Sequence, residues 1–141
     1  MISHLSEYRE ETAMLVMRLM LGILFVMQGY DKLVNIGVTE TAKIFQQEIK
    51  IKFLPGWAYL FTSVYSCYIE FFGGIFLLFG LFTDISLVFL AGDLLLVALA
   101  MGLMNPVWDM KYVYPRFFIL VLLLLLPKEW NLFSFDFLIF G

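Results

Sequence analysis

The sequence predicts an all-α, polytopic membrane protein: four transmembrane helices in an antiparallel bundle, with a short amphipathic helix in the first loop. Three observations carry this. Of 141 residues, 62% are hydrophobic and only 15% charged, with a mean hydropathy of +0.92, whereas soluble domains carry about 25% charged residues. The apolar residues gather into runs close to the ~20 residues that cross a bilayer. The charges inside those runs are few and of both signs, as buried partners would be.

Composition also excludes. The net charge of −3 says little when charges lie inside a membrane, and no basic patch suits nucleic acid. Cys67 is the one cysteine, so there is no internal disulfide and no CxxC pair. His4 is the one histidine and lies in the polar N-terminus, so neither a bis-histidine haem nor a His-rich metal site can be built. No short apolar region with a small-residue cleavage site opens the chain, and the first hydrophobic segment is read as retained.

Residues 1–11 are polar, with Ser6 and Arg9-Glu10 offering a weak cap. The first span then runs from about residue 12 to 33. Within it Arg18, Gly22, Phe25, Gly29 and Lys32 fall on one helical stripe at about 100° per residue. An arginine pointing into hydrocarbon costs at least roughly 2.5–3.5 kcal/mol, so this face should turn toward protein. Thr39–Ile51 alternates apolar residues with Lys43, Glu48 and Lys50. It reads as an amphipathic helix on the membrane surface, or as an ordered extramembrane loop.

Phe53-Leu-Pro-Gly56 turns the chain, and Trp57 and Tyr59 mark an interface. The second span, about 57–82, is interrupted only by Glu70. Ser63, Ser66, Cys67, Gly73 and Gly74 share that residue's face, small enough for close approach. Thr83-Asp84 reads as a minimal turn with Asp84 capping the next helix. The third span, about 85–104, is interrupted only by Asp93, and Asn105-Pro106 breaks it. Trp108, Tyr112 and Tyr114 follow as a second aromatic cluster. The fourth span, about 110–127, holds Arg116, is limited by Pro115 and Pro127, and is short. Trp130–Phe140 is too short to cross, and should fold back on the bundle or the interface. The chain 1–141 forms a single domain.

Arg18, Glu70, Asp93 and Arg116 sum to zero charge. The arginines are expected to pair with the carboxylates inside the bundle, in a pairing the sequence leaves open. The supporting set is Gly22, Gln28, Gly29, Lys32, Gly73, Gly74 and Tyr112. Ion pairs of this kind can equally be scaffold, fixing helix register without chemistry. Asp31-Lys32 is read as an interfacial anchor, Cys67 as a packing residue, and the methionines and phenylalanines as lipid-facing or core filler.

Arg18-Leu-Met-Leu-Gly22 with Phe25, Gly29 and Lys32-Leu33 resembles the opening signature of the DoxX-like membrane proteins. Glu70-Phe-Phe-Gly-Gly74, followed by Leu77-Leu-Phe-Gly-Leu81-Phe-Thr83, is similar to that family's second-helix motif. Leu132-Phe-Ser-Phe-Asp136 is similar to its C-terminal Ser-x-Asp element. The resemblance implies a four-helix protein of the bacterial inner membrane with both termini cytoplasmic. Counting lysines in the first and third loops places the opposite face in the cytoplasm. Family members include a small subunit of thiosulfate:quinone oxidoreductase and associates of redox-stress enzymes, while distant eukaryotic relatives assist receptor assembly.

The leading expectation is therefore a membrane subunit of a quinone-linked redox complex. Its Arg18, Glu70, Asp93 and Arg116 would contact a quinone headgroup or relay protons. The chain has no flavin fingerprint, metal-ligand cluster or self-contained catalytic motif, and no covalent cofactor is expected. The alternative is a non-catalytic assembly or accessory subunit whose ion pairs fix a docking surface. A carrier is disfavoured, because no broken-helix repeat is present. The expected partners are lipid and either further copies of the chain or another membrane or redox subunit.

Overall fold

The computed structural model describes residues 8–49, 54–104 and 110–140. Helix α1 runs Arg9–Ile36, α2 Val38–Glu48, α3 Gly56–Phe79, α4 Thr83–Met104, α5 Tyr114–Leu125 and α6 Phe135–Phe140. Single 3₁₀ turns cover Met110–Tyr112 and Lys128–Trp130, and no strand occurs among the described residues. Helices α1, α3 and α4 are 28, 24 and 22 residues long and apolar enough to cross a membrane. Met20, Ile23 and Met27 on α1, Phe61 and Phe79 on α3, and Leu95 and Leu99 on α4 face outward, where lipid contacts them. This is a multi-pass helical membrane protein.

Contacts along the bundle fix an up-down-up-down arrangement. Position 18 of α1 meets Gly80 just beyond α3, Gly22 meets Gly74 and Leu78, and Gly29 meets Phe71. Helix α5 runs against α1, since Arg116 reaches Gln28. The expected stripe of α1 is the buried one: Arg18, Gly22, Phe25 and Gly29 are inside, with Leu21 beside them. So is the small face of α3, with Ser63, Ser66, Cys67, Glu70, Gly73 and Gly74 buried. Between them lies an apolar core of Leu21, Phe25, Leu77, Leu87, Leu90 and Leu120 among others.

Two helices are locally wound to the π form. The last turn and a half of α1, Asp31–Ile36, and the centre of α3, Ile69–Gly73, both adopt it. Such widened turns insert a residue and re-aim the side chains around them, and they concentrate at functional sites. Nothing in the apolar pattern announces either one.

The amphipathic segment forms a helix that ends at Glu48, and it is not a bare surface feature. Thr41 and Ala42 are buried, and Phe45 and Ile49 pack with Tyr59, Ala100, Leu103 and Met104. Its opposite face shows Glu40, Lys43, Gln46 and Gln47 to the exterior. Residues 50–53, the Asn105-Pro106 break, Trp108, Ser6 and His4 lie outside the described residues.

Two boundaries depart from the sequence reading. Helix α3 ends at Phe79, because Gly80 takes the left-handed conformation (φ 65°) that terminates helices at low steric cost. The turn is then Gly80–Phe82, with Phe82 also at positive φ (47°), and Thr83 and Asp84 already belong to α4. Helix α5 has 12 residues, about 18 Å at 1.5 Å per residue, well short of the ~30 Å hydrocarbon core. Pro115 sits in its first turn, where a missing N–H costs nothing.

The close α1–α3 approach makes a specific demand. A Cβ on Gly29 would lie 2.7 Å from the Phe71 Cα, and one on Gly74 2.7 Å from the Val26 backbone nitrogen. At Gly102 it would meet nothing within 4 Å. Gly29→Ala is therefore expected to lower stability in detergent by about 1–3 kcal/mol, read as a depressed thermal midpoint. Gly102→Ala should leave the midpoint unchanged or raise it. Equal effects at both positions would contradict the packing described.

Candidate functional site: a buried carboxylate pair and a separate arginine latch

The intramembrane charges do not form one cluster. They divide into two groups, one near the middle of α3 and α4 and one at the end of the bundle away from α2, with apolar core packed between them.

The first group lies toward the α2 end and is built on the two π turns. Lys32, on the α1 turn, places Nζ 2.7 Å from Glu70 Oε2 on the α3 turn. The same ammonium donates to Ser66 Oγ at 3.1 Å. Glu70 is fully buried, and the Lys32 side chain is 13% exposed. The expectation that an arginine pairs with Glu70 is corrected here, as is the reading of Lys32 as an interfacial anchor. Lys32 lies nearly three turns of helix nearer the α2 end than Gly22, at the level of Glu70. Its charge is spent inside the bundle, so it drops out of a loop lysine count. Asp31 does stay at the surface, accepting from Asn35 Nδ2 at 2.7 Å.

Asp93 approaches the same place from α4. It is fully buried and faces Glu70, Ser66 and Lys32. Among the described residues no cation comes within ion-pair distance of it, and neither of its oxygens has an aligned donor. Glu70 Oε1 and the buried Ser63 Oγ are also without a hydrogen-bond partner. Arg116 lies in electrostatic range of both carboxylates, but its hydrogen bonds go elsewhere. Nε and Nη2 donate to the Tyr112 carbonyl at 3.0 and 2.8 Å, and Nη1 to Gln28 Oε1. The expected direct Arg116–carboxylate pair is thus replaced by an arginine one layer away, held by its own helix start. Of the supporting residues, Gly73 lies under Leu90, and Tyr112 contributes its carbonyl while its ring is exposed.

The second group belongs to Arg18, which meets neither Glu70 nor Asp93. Its Nη1 donates to Asn131 Oδ1 at 2.7 Å and its Nη2 to the Phe133 carbonyl at 2.5 Å. Gly80 allows this, because a Cβ there would lie 2.8 Å from the guanidinium carbon and 2.5 Å from Ser134 Cβ. The C-terminal segment so held folds back as expected, and it does more than cover. Asp136 accepts from the Phe82 and Thr83 backbone N–H groups at 2.6 and 2.7 Å, and its own N–H donates to the Gly80 carbonyl at 2.8 Å. Ser134 Oγ donates to the Asn131 carbonyl and accepts from Phe137 N–H.

Asp136 therefore caps α4 from more than fifty residues downstream. Asp84, the expected cap, sits in the first turn and pairs with Lys128. That pair is exposed and of small energetic weight, though the neighbouring carboxylate holds the Lys128 ammonium above its ordinary pKa. Asn131 and the cation role of Lys32 were the residues sequence reasoning missed. The Lys32 signal was present in the α1 stripe, whereas nothing pointed to Asn131.

The capping assignment separates two variants. Asp136→Ala is expected to cost about 1–2 kcal/mol and to expose the segment after Pro127 to limited proteolysis. Asp84→Ala should change stability by less than about 0.5 kcal/mol. The reverse order would return the cap to Asp84.

The DoxX family profile matches residues 13–103. That range spans α1 to nearly the end of α4, and it holds Arg18, Lys32, Glu70 and Asp93. It stops before the C-terminal latch. No curated protein and no solved structure matches the chain. With well over half of its length covered, the chain belongs to the DoxX family.

Proposed function

We propose that this protein is a membrane subunit of a quinone-linked redox complex in the bacterial inner membrane, and that Glu70 and Asp93 relay protons for it. The observation that carries the reading is the pair itself. Two fully buried carboxylates face each other across α3 and α4, with one ammonium in contact and three of their four oxygens free of any ion pair. Buried polar atoms without partners are rare and call for a reason. Intramembrane carboxylates of this kind are the usual carriers of protons in pumps and transporters.

The geometry favours proton handling over direct headgroup contact at this position. Glu70 and Asp93 are both closed to the exterior. A cleft of about 410 Å³ lies at the other end, among Met14, Phe82, Leu87, Leu123, Asn131 and Phe140. A quinone would be met there or at a partner subunit, and its redox centre would come with that partner. Lys32 contacts one carboxylate, and Arg116 lies in electrostatic range of both.

Asp93→Asn is the cleanest test, because the change is nearly isosteric and breaks no ion pair. In the complex isolated from native membranes, Asp93→Asn and Glu70→Gln should each lower quinone-linked turnover by about 10²-fold or more. The helical content and subunit composition of the complex should be kept. Unchanged turnover in both variants would contradict the relay. Isolation of the chain as a homo-oligomer with neither quinone nor redox partner would favour the accessory-subunit reading.

A further inference from the structure

We infer that the Glu70–Asp93 site is internally hydrated and exchanges water and protons with one side only, the face covered by α2. The inference deepens the proton-relay reading and rests on it for its purpose, though its geometry stands independently.

Hydration follows from the polar inventory. Glu70 Oε1, both Asp93 oxygens and Ser63 Oγ are buried and make no aligned hydrogen bond among the described residues, with Ser66 and Glu70 facing Asp93. Leaving each unmade costs about 1–3 kcal/mol, and more for a charged group. Buried water relieves such groups, each molecule making about three hydrogen bonds. Ser63, Ser66 and Glu70 stand at helical spacing on the inner face of α3, so their oxygens form a ladder rising from the carboxylates toward the α2 end.

Sidedness follows from what flanks the ladder. Toward α2 polar groups continue beside the apolar cluster of Phe45, Ile49, Tyr59 and Ala100. Lys32 bridges Glu70 and Ser66 while keeping 13% of its side chain exposed, and Thr41 of α2 lies against Cys67. In the opposite direction the path meets Phe25, Leu77, Leu87, Leu90 and Leu120, each 0–1% exposed and packed as one core. The next orphaned oxygen on the Asp93 face of α4, Ser86 Oγ, lies beyond Leu90. The site is a half-channel with a dry floor.

The chain carries its own reporter. Cys67, the one cysteine, is buried beside Lys32, Glu70, Asp93 and Thr41. In sealed vesicles the intact protein is treated from outside with the impermeant thiol reagent 2-(trimethylammonium)ethyl methanethiosulfonate. A second aliquot receives an impermeant amine reagent. Peptide mass spectrometry then reports which face is outward, since Lys43 lies on α2 and Lys128 at the other end, with side chains 62% and 80% exposed. Cys67 labelling is expected only in vesicles whose Lys43 is outward. Lys32→Ala should raise its rate about tenfold on that same face. Labelling that tracks Lys128, occurs from both faces, or fails in both proteins would overturn the inference. No redox reaction is read, so this outcome is separable from the turnover of Asp93→Asn.

Discussion

A charge in the hydrocarbon core has to find a partner, and the contact between Lys32 and Glu70 is where this bundle settles that requirement first. The ion pair joins the widened turn at the end of α1 to the one at the centre of α3. It thereby sets the register of the two helices, and the rest of their interface follows from that register. Gly29 comes against Phe71, Gly22 against Gly74, and Arg18 against Gly80. Glycine lets the backbones approach at the first two of these contacts and makes room for the guanidinium at the third. The ion pair and the glycine contacts are two descriptions of one alignment, and slipping it by a turn would orphan a buried charge and drive side chains into backbone.

With Lys32 assigned to Glu70, Arg18 is free for a different task. It holds the C-terminal segment through Asn131 and the Phe133 carbonyl, and that segment returns Asp136 to the start of α4. The left-handed turn at Gly80 and Phe82 is stabilised by this return, since Asp136 engages the N–H groups of Phe82 and Thr83. The latch has nearly all its polar groups satisfied, Arg18 Nε excepted. The carboxylate end is the opposite, with orphaned oxygens and one shared cation. The contrast in hydrogen-bond satisfaction, more than the identity of the residues, is what separates scaffold from candidate site.

Much of the fold was legible because bilayers enforce simple rules. Apolar runs marked α1, α3 and α4, the Arg18–Lys32 stripe marked the buried face of α1, and the Ser63–Gly74 face marked that of α3. The fourth span was correctly suspect, bounded by Pro115 and Pro127. What could not be read was pairing at a distance. Charge counting showed that Arg18, Arg116, Glu70 and Asp93 balance, but balance does not select partners. Lys32 was discounted for lying near a helix end, although a flexible lysine at that level reaches Glu70 readily. The π turns left no trace in the sequence pattern, and Asp136 acts on residues far upstream, beyond any local capping rule.

The claim on which the account turns is that Glu70 belongs to Lys32 and not to Arg18. Double-mutant cycles on unfolding in detergent address it directly, using Lys32→Met, Arg18→Met and Glu70→Gln. Lys32 and Glu70 should be non-additive by at least about 1 kcal/mol, while Arg18 and Glu70 should add to within about 0.5 kcal/mol. Coupling between Arg18 and Glu70, with none between Lys32 and Glu70, would contradict the arrangement and the register that depends on it.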